Sequence, residues 1–112
     1  QFLSDHPSDG NRRDTYVKKL YEYSNKHVTV KDGTVSVNGK SFVTPAAAGD
    51  MSAAERSYFV VGNLAASYHN GHNKDAAYVD GKTVMLGVQP IMTCTYDDES
   101  AQKLADRLNK IK

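Results

Sequence analysis

Two dipeptides, Asp32-Gly33 and Asn38-Gly39, constrain the local fold of this chain more firmly than anything else in it. Asp-Gly and Asn-Gly tolerate the positive φ that a tight two-residue hairpin turn demands. They punctuate three short runs: His27-Val28-Thr29-Val30, Thr34-Val35-Ser36-Val37 and Ser41-Phe42-Val43. In these runs β-branched and polar residues alternate, so the pattern predicts a three-stranded antiparallel meander over 27–43. A second β unit follows the same logic. Ala77-Tyr78-Val79 and Thr83-Val84-Met85-Leu86 flank the turn signal Asp80-Gly81-Lys82. Ile91-Met92-Thr93-Cys94-Thr95-Tyr96 reads as a further strand, approached through Gly87 and Pro90. Proline has no N–H for a ladder, so Pro90 places the start of that strand at an edge or outside the sheet.

Helical periodicity fills the remaining stretches. A helix capped by Ser8 or Asp9 runs to about Ser24, with Val17, Leu20, Tyr21 and Ser24 recurring along it. Gly10 weakens its first turn, which leaves Asn11 as an alternative start. Thr44 to Asp50 is a linker, after which Ser52-Ala53-Ala54-Glu55 forms a capping box that launches a helix to about Tyr68. Tyr58, Val61, Leu64, Ala65 and Tyr68 share one face of it, and His69-Asn70-Gly71 ends it. The last helix is expected to open at Asp97 or Asp98 and to bury a stripe of Ala101, Leu104, Ala105, Leu108 and Ile111. Arg107, Lys110 and Lys112 then sit near the negative end of its dipole. The order is α-βββ-α-βββ-α, an α+β fold with a mainly antiparallel sheet built from hairpins and helices covering one face. Periodicity leaves open whether the two β units share a sheet, and no repeat of residue identity relates them.

Composition narrows the function classes. At 112 residues there is room for one compact domain with a true core. Fourteen basic against thirteen acidic side chains leave a net charge of +1, with the basic residues scattered, so no electrostatic footprint for nucleic acid is expected. No stretch approaches the roughly 20 apolar residues of a membrane span. The single cysteine, Cys94, excludes an internal disulfide framework.

The reactive inventory is small. His69 and His72 form a His-x-x-His pair, but Asn70 and Gly71 break the helix between them and no third ligand lies nearby. His27 reads as a strand-boundary residue. Cys94, between Thr93 and Thr95, has no helix N-terminus or adjacent base to activate it and reads as a buried structural thiol. Seven tyrosines and no tryptophan are the unusual aromatic count. Tyr58 and Tyr68 read either as rings packed inward with the hydroxyl at the core's edge, or as an exposed surface for peptide or glycan.

One motif carries more meaning. Phe2-Leu3-Ser4-Asp5-His6-Pro7-Ser8-Asp9-Gly10-Asn11-Arg12 resembles the closing motif of the HtpX-like and CAAX-prenyl-protease-type zinc metallopeptidases, which are gluzincins. That motif reads roughly Ser-Thr-His-Pro, a few polar residues, then an Arg leading a helix. His6, Pro7 and Arg12 fall at the family's spacing, while Asp5 stands where Thr is common. The family's His-Glu-x-x-His, which binds zinc and supplies the general base, does not occur in this chain, and neither does the downstream Glu ligand. Both lie N-terminal to the His-Pro segment in that family. The resemblance covers about a dozen residues. It implies that residues 1–25 are the closing segment and helix of a peptidase domain, and that 26–112 form a C-terminal accessory α+β domain. The chain itself is then non-catalytic, with no catalytic, cofactor or metal residue of its own. Zinc belongs to the parent metalloendopeptidase, and the partners are its peptidase domain and a protein or peptide substrate. The opening at Gln1, without initiator Met or signal pattern, fits a piece cut from a longer protein. The resemblance also points to the bacterial cell envelope or another extracytoplasmic setting. Two other readings compete: an autonomous envelope module binding protein or glycan through tyrosines or a sheet edge, and a small hydrolase using Cys94 with a histidine.

Overall fold

The computed structural model describes residues 9–112, with side chains from Asp14 onward. The elements are α1 (Asp9–Tyr23), β1 (Val28–Lys31), β2 (Thr34–Val37), β3 (Lys40–Val43) and α2 (Ala53–His69), followed by β4 (Ala77–Asp80), β5 (Thr83–Leu86), β6 (Gln89–Thr93) and α3 (Ala101–Ile111). The expected α+β order holds. The strands form two separate antiparallel sheets, β1-β2-β3 and β4-β5-β6, which answers the question periodicity left open.

The two sheets are copies of one another. Each position in the second meander lies 49 residues after its counterpart: Val28 and Ala77, Val35 and Val84, Thr44 and Thr93. Val28 pairs with Val37 as Ala77 pairs with Leu86, and the β-bulge at Val35/Ser36 recurs at Val84/Met85. Even a polar detail repeats: the Thr34 and Thr44 hydroxyls meet at 2.8 Å, and so do those of Thr83 and Thr93. Residue identity conceals this because the turns use different chemistry. In the first copy both central residues have positive φ, Asp32 (53°) with Gly33 (81°) and Asn38 (53°) with Gly39 (79°). In the second copy only the first does, at Gly81 (65°) and Gly87 (60°), with Lys82 and Val88 following. These are the sequence requirements of I′ and II′ turns respectively, two solutions to the same strand twist.

The helices tie the copies together. α2 packs on β1 and β2 and crosses to β6, while α3 packs on β4 and β5 and crosses to β3. Each crossing is marked by a side chain bonding an edge carbonyl. Asn63 of α2 donates to the Ile91 C=O at 2.9 Å, and Arg107 of α3 donates to the Phe42 C=O at 2.7 Å. Phe42 and Ile91 are counterparts. Between the layers lies one continuous core: Val35, Val37 and Phe42 from the first sheet, Leu86 and Ile91 from the second, Leu64 from α2, and Leu104 and Leu108 from α3. All of these are fully buried. Val17 and Leu20 bring α1 onto the rim of this core.

Local chemistry explains the boundaries. The Ser52/Glu55 capping box starts α2 in both its directions, Glu55 N–H to the Ser52 hydroxyl and Ser52 N–H to the Glu55 carboxylate. Gly71, at φ 82°, redirects the chain after it. Ser24 ends α1: its hydroxyl donates to the Tyr21 C=O and accepts the Val28 N–H, so helix and first strand join through a fixed four-residue turn.

Two expected boundaries are corrected. β6 begins at Gln89 and ends at Thr93, so Pro90 lies inside an edge strand and Thr95 and Tyr96 lie outside it. The chain leaves the ladder because the Asp98 carboxylate captures the N–H and hydroxyl of Thr95. For the same reason Asp98 is not available to cap α3. Ser100 does so instead, accepting the Lys103 N–H at 3.2 Å.

The turn chemistry is testable at Gly87. A Cβ there would overlap a carboxylate oxygen of Asp75 and sit 3.0 Å from its Cβ, at positive φ. At Gly39 a Cβ would meet nothing within 4 Å. Gly39→Ala is expected to cost about 1 kcal/mol of strain in urea unfolding. Gly87→Ala should cost roughly twice that, because Asp75 must also move.

Candidate functional site

A cleft of about 1130 Å³ lies between α1, β1 with its turn, and the start of α2. Its α1 wall presents Asp14, Val17, Lys18 and Tyr21, and its β1 wall presents Thr29, Val30, Lys31 and Asp32. Ser57 and Tyr58 of α2 close the far side. The sequence builds this space in a simple way. The Ser24 turn holds α1 beside β1, and the Tyr16 and Tyr58 rings meet edge to face at 6.2 Å. Gly62 lets Tyr16 approach α2 closely, since a Cβ at that position would lie 3.1 Å from its hydroxyl oxygen. Burial pushes the pKa of Tyr16 up, so the hydroxyl stays neutral.

The residues singled out from the sequence are dispersed. His6 and Pro7 lie outside the described residues, and Arg12 falls in the first turn of α1 with its side chain outside the description. Tyr58 lines the cleft. Tyr68 does not belong to an exposed surface. It is 4% exposed, its ring stacks on His27 at 4.5 Å, and its hydroxyl donates to the Lys112 C=O. A tyrosine on the inward face of α2 buries its ring and leaves only its hydroxyl at the rim, the alternative arrangement for that residue.

His69 and His72 serve different partners. The His69 ring stacks on Tyr23 at 3.8 Å, whereas His72 Nδ1 lies 3.1 Å from the Asp75 carboxylate. Among the described residues no three His, Cys, Asp or Glu side chains gather as a metal-binding group. Cys94 is buried just past the end of β6, and its N–H extends the ladder to the Lys82 C=O. Burial, then the Asp98 carboxylate, pushes its thiol pKa up against the pull of Arg56. The thiol is therefore a poor nucleophile at neutral pH.

Sequence reasoning missed the most elaborate polar arrangement. Arg56 of α2 meets Asp98 in a two-pronged ion pair at 2.8 and 3.0 Å, with the Asp98 side chain fully buried. Asp98 also accepts the N–H groups of Ala46 and Thr95 and the Thr95 hydroxyl. Arg56 donates in addition to the Ala46 and Thr93 carbonyls. The local signal was the Thr95-x-x-Asp98 spacing, which lets a carboxylate close on a backbone N–H three residues back. The long-range partner Arg56 leaves no such trace.

No family model, curated protein or solved structure matches this chain.

Burial alone would raise the pKa of Asp98, but the bonds from Arg56, Ala46 and Thr95 outweigh it and hold the carboxyl well below the ordinary range. A lowered folded pKa means that the stability it contributes is complete above the unfolded value of about 3.9. That contribution drains away as pH falls below it. Asp98→Asn is therefore expected to lower stability at pH 7 by about 3–5 kcal/mol. It should also flatten the acid limb of stability against pH, measured by urea unfolding between about pH 2 and 7.

Proposed function

We propose that this chain is the non-catalytic C-terminal accessory domain of a zinc metallopeptidase of the HtpX-like and CAAX-prenyl-protease type, working at the cell envelope. One observation carries the reading. The segment that resembles the family's closing motif runs directly into a helix, as the resemblance requires: α1 begins at Asp9, three residues after His6, and carries Arg12 in its first turn. That helix is joined to the first sheet by the rigid Ser24 turn, and Asp14, two residues beyond Arg12, already lines the cleft. The family's His-Pro loop lies near its catalytic centre, so the accessory unit would hold its cleft beside the peptidase's own. Its role is then to position or restrict the protein substrate. Zinc and the general base belong to the peptidase domain.

The reading predicts a His-Glu-x-x-His helix encoded upstream of Phe2 in the full-length gene product. In that product, removing residues 26–112 is expected to leave bound zinc unchanged. Turnover of a folded or long polypeptide substrate should shift at least tenfold relative to a short blocked peptide. Absence of the His-Glu-x-x-His helix would overturn the reading. So would equal effects of the truncation on long and short substrates.

A further inference from the structure

We propose that the outer edge of β1 receives an extended segment of another polypeptide as a fourth strand of the first sheet, within the cleft. The inference rests on the hydrogen-bond pattern and not on the peptidase reading. The two-residue turn at Asp32-Gly33 makes Lys31 and Thr34 a bonded pair. Pairs alternate along an antiparallel ladder, and the Asn38 N–H to His27 C=O bond at 2.7 Å continues that alternation. Val28 and Val30 therefore turn their backbone groups away from β2. The Val28 N–H is taken by the Ser24 hydroxyl at 3.1 Å. The N–H and C=O of Val30 have no partner among the described residues. In the second sheet the counterpart of Val28 is held differently: Asn109 accepts the Ala77 N–H at 2.8 Å and donates to the Ala77 C=O at 2.9 Å, sealing that point of the edge.

Val30 lines the cleft and keeps 8% of its surface exposed. Unpaired backbone groups on a sheet edge are the template for strand addition. Charge and shape define the guest. Asp14 and Lys18 stand on one wall and Lys31 and Asp32 on the other, and none of the four forms an ion pair among the described residues. Val17, Tyr21 and Tyr58 supply apolar surface between them. An extended strand points successive side chains to opposite sides. The fitting occupant is thus a peptide segment in which acidic and basic residues alternate with apolar ones.

The test uses the intact 112-residue chain and a blocked seven-residue peptide alternating valine with glutamate and lysine. Amide-resolved NMR titration is expected to show a saturable downfield shift at Val30 and slowing of its hydrogen exchange by at least tenfold. The same peptide N-methylated at alternate residues, which cannot pair, should leave Val30 unchanged. Val30→Pro removes the outward N–H and, with the amide spectrum confirming that the core around it stays folded, should weaken binding at least tenfold; Lys31→Glu, which preserves the backbone and the core, should weaken it by a smaller factor. The proposal is overturned by an unresponsive Val30 amide at millimolar peptide, or by equal binding of the N-methylated peptide. It is also overturned if Val30 is already protected in a concentration-dependent dimer, which would make a second copy of this chain the occupant.

Discussion

The fold closes around the Arg56–Asp98 pair. Arg56 extends from the first turn of α2, Asp98 follows the last strand, and between them they bind the backbone at Ala46, Thr93 and Thr95. One interaction thus joins the linker between the two halves, the start of the central helix, and the segment leading into the final helix. A buried charge is expensive unless every lone pair and donor is engaged. Here the carboxylate collects five donors, two from Arg56, two backbone N–H groups and one hydroxyl. The consequence reaches outward, because Asp98 is drawn inward, β6 stops at Thr93, and α3 starts one turn later than its acidic residues predict.

How much of this was legible depends on whether the determining forces were local. The meander over 27–43, the capping box at Ser52 and Glu55, and the stripe ending at Ile111 are set by neighbours within four residues, and the sequence displays them directly. The repeat was hidden although its backbone recurs at a fixed spacing. Turn residues respond to φ, so Asp-Gly and Asn-Gly in one copy do the same work as Gly-Lys and Gly-Val in the other. Gly87 and Val88 were consequently not legible as a hairpin. The burial of Tyr68 and the pairing of Arg56 with Asp98 are matters of tertiary position, and a single strand of text carries no mark of them. The cleft was equally invisible, because its walls come from three elements separated along the chain.

The site and the proposed role meet at α1. This helix contributes little to the core beyond Val17 and Leu20, yet it forms one wall of the cleft and carries the segment that resembles a peptidase's closing motif. Movement of α1 would widen or narrow the cleft and change access to Val30 at the same time.

The crossing of the helices has a further consequence for how the chain acquires its structure. Each meander is bonded at its outer carbonyl by a helix that also packs on the other meander: Phe42 by Arg107, Ile91 by Asn63. Neither half is therefore a self-sufficient foldon. The first 70 residues leave Phe42 uncapped and the face of β3 bare, and the remainder leaves Ile91 and β6 in the same condition. Folding is expected to be a single cooperative event delayed by these distant contacts. Two chains caught halfway can complete one another by exchanging halves through the segment after Gly71, so the duplication that gives this domain its symmetry also gives it a route to an intertwined dimer.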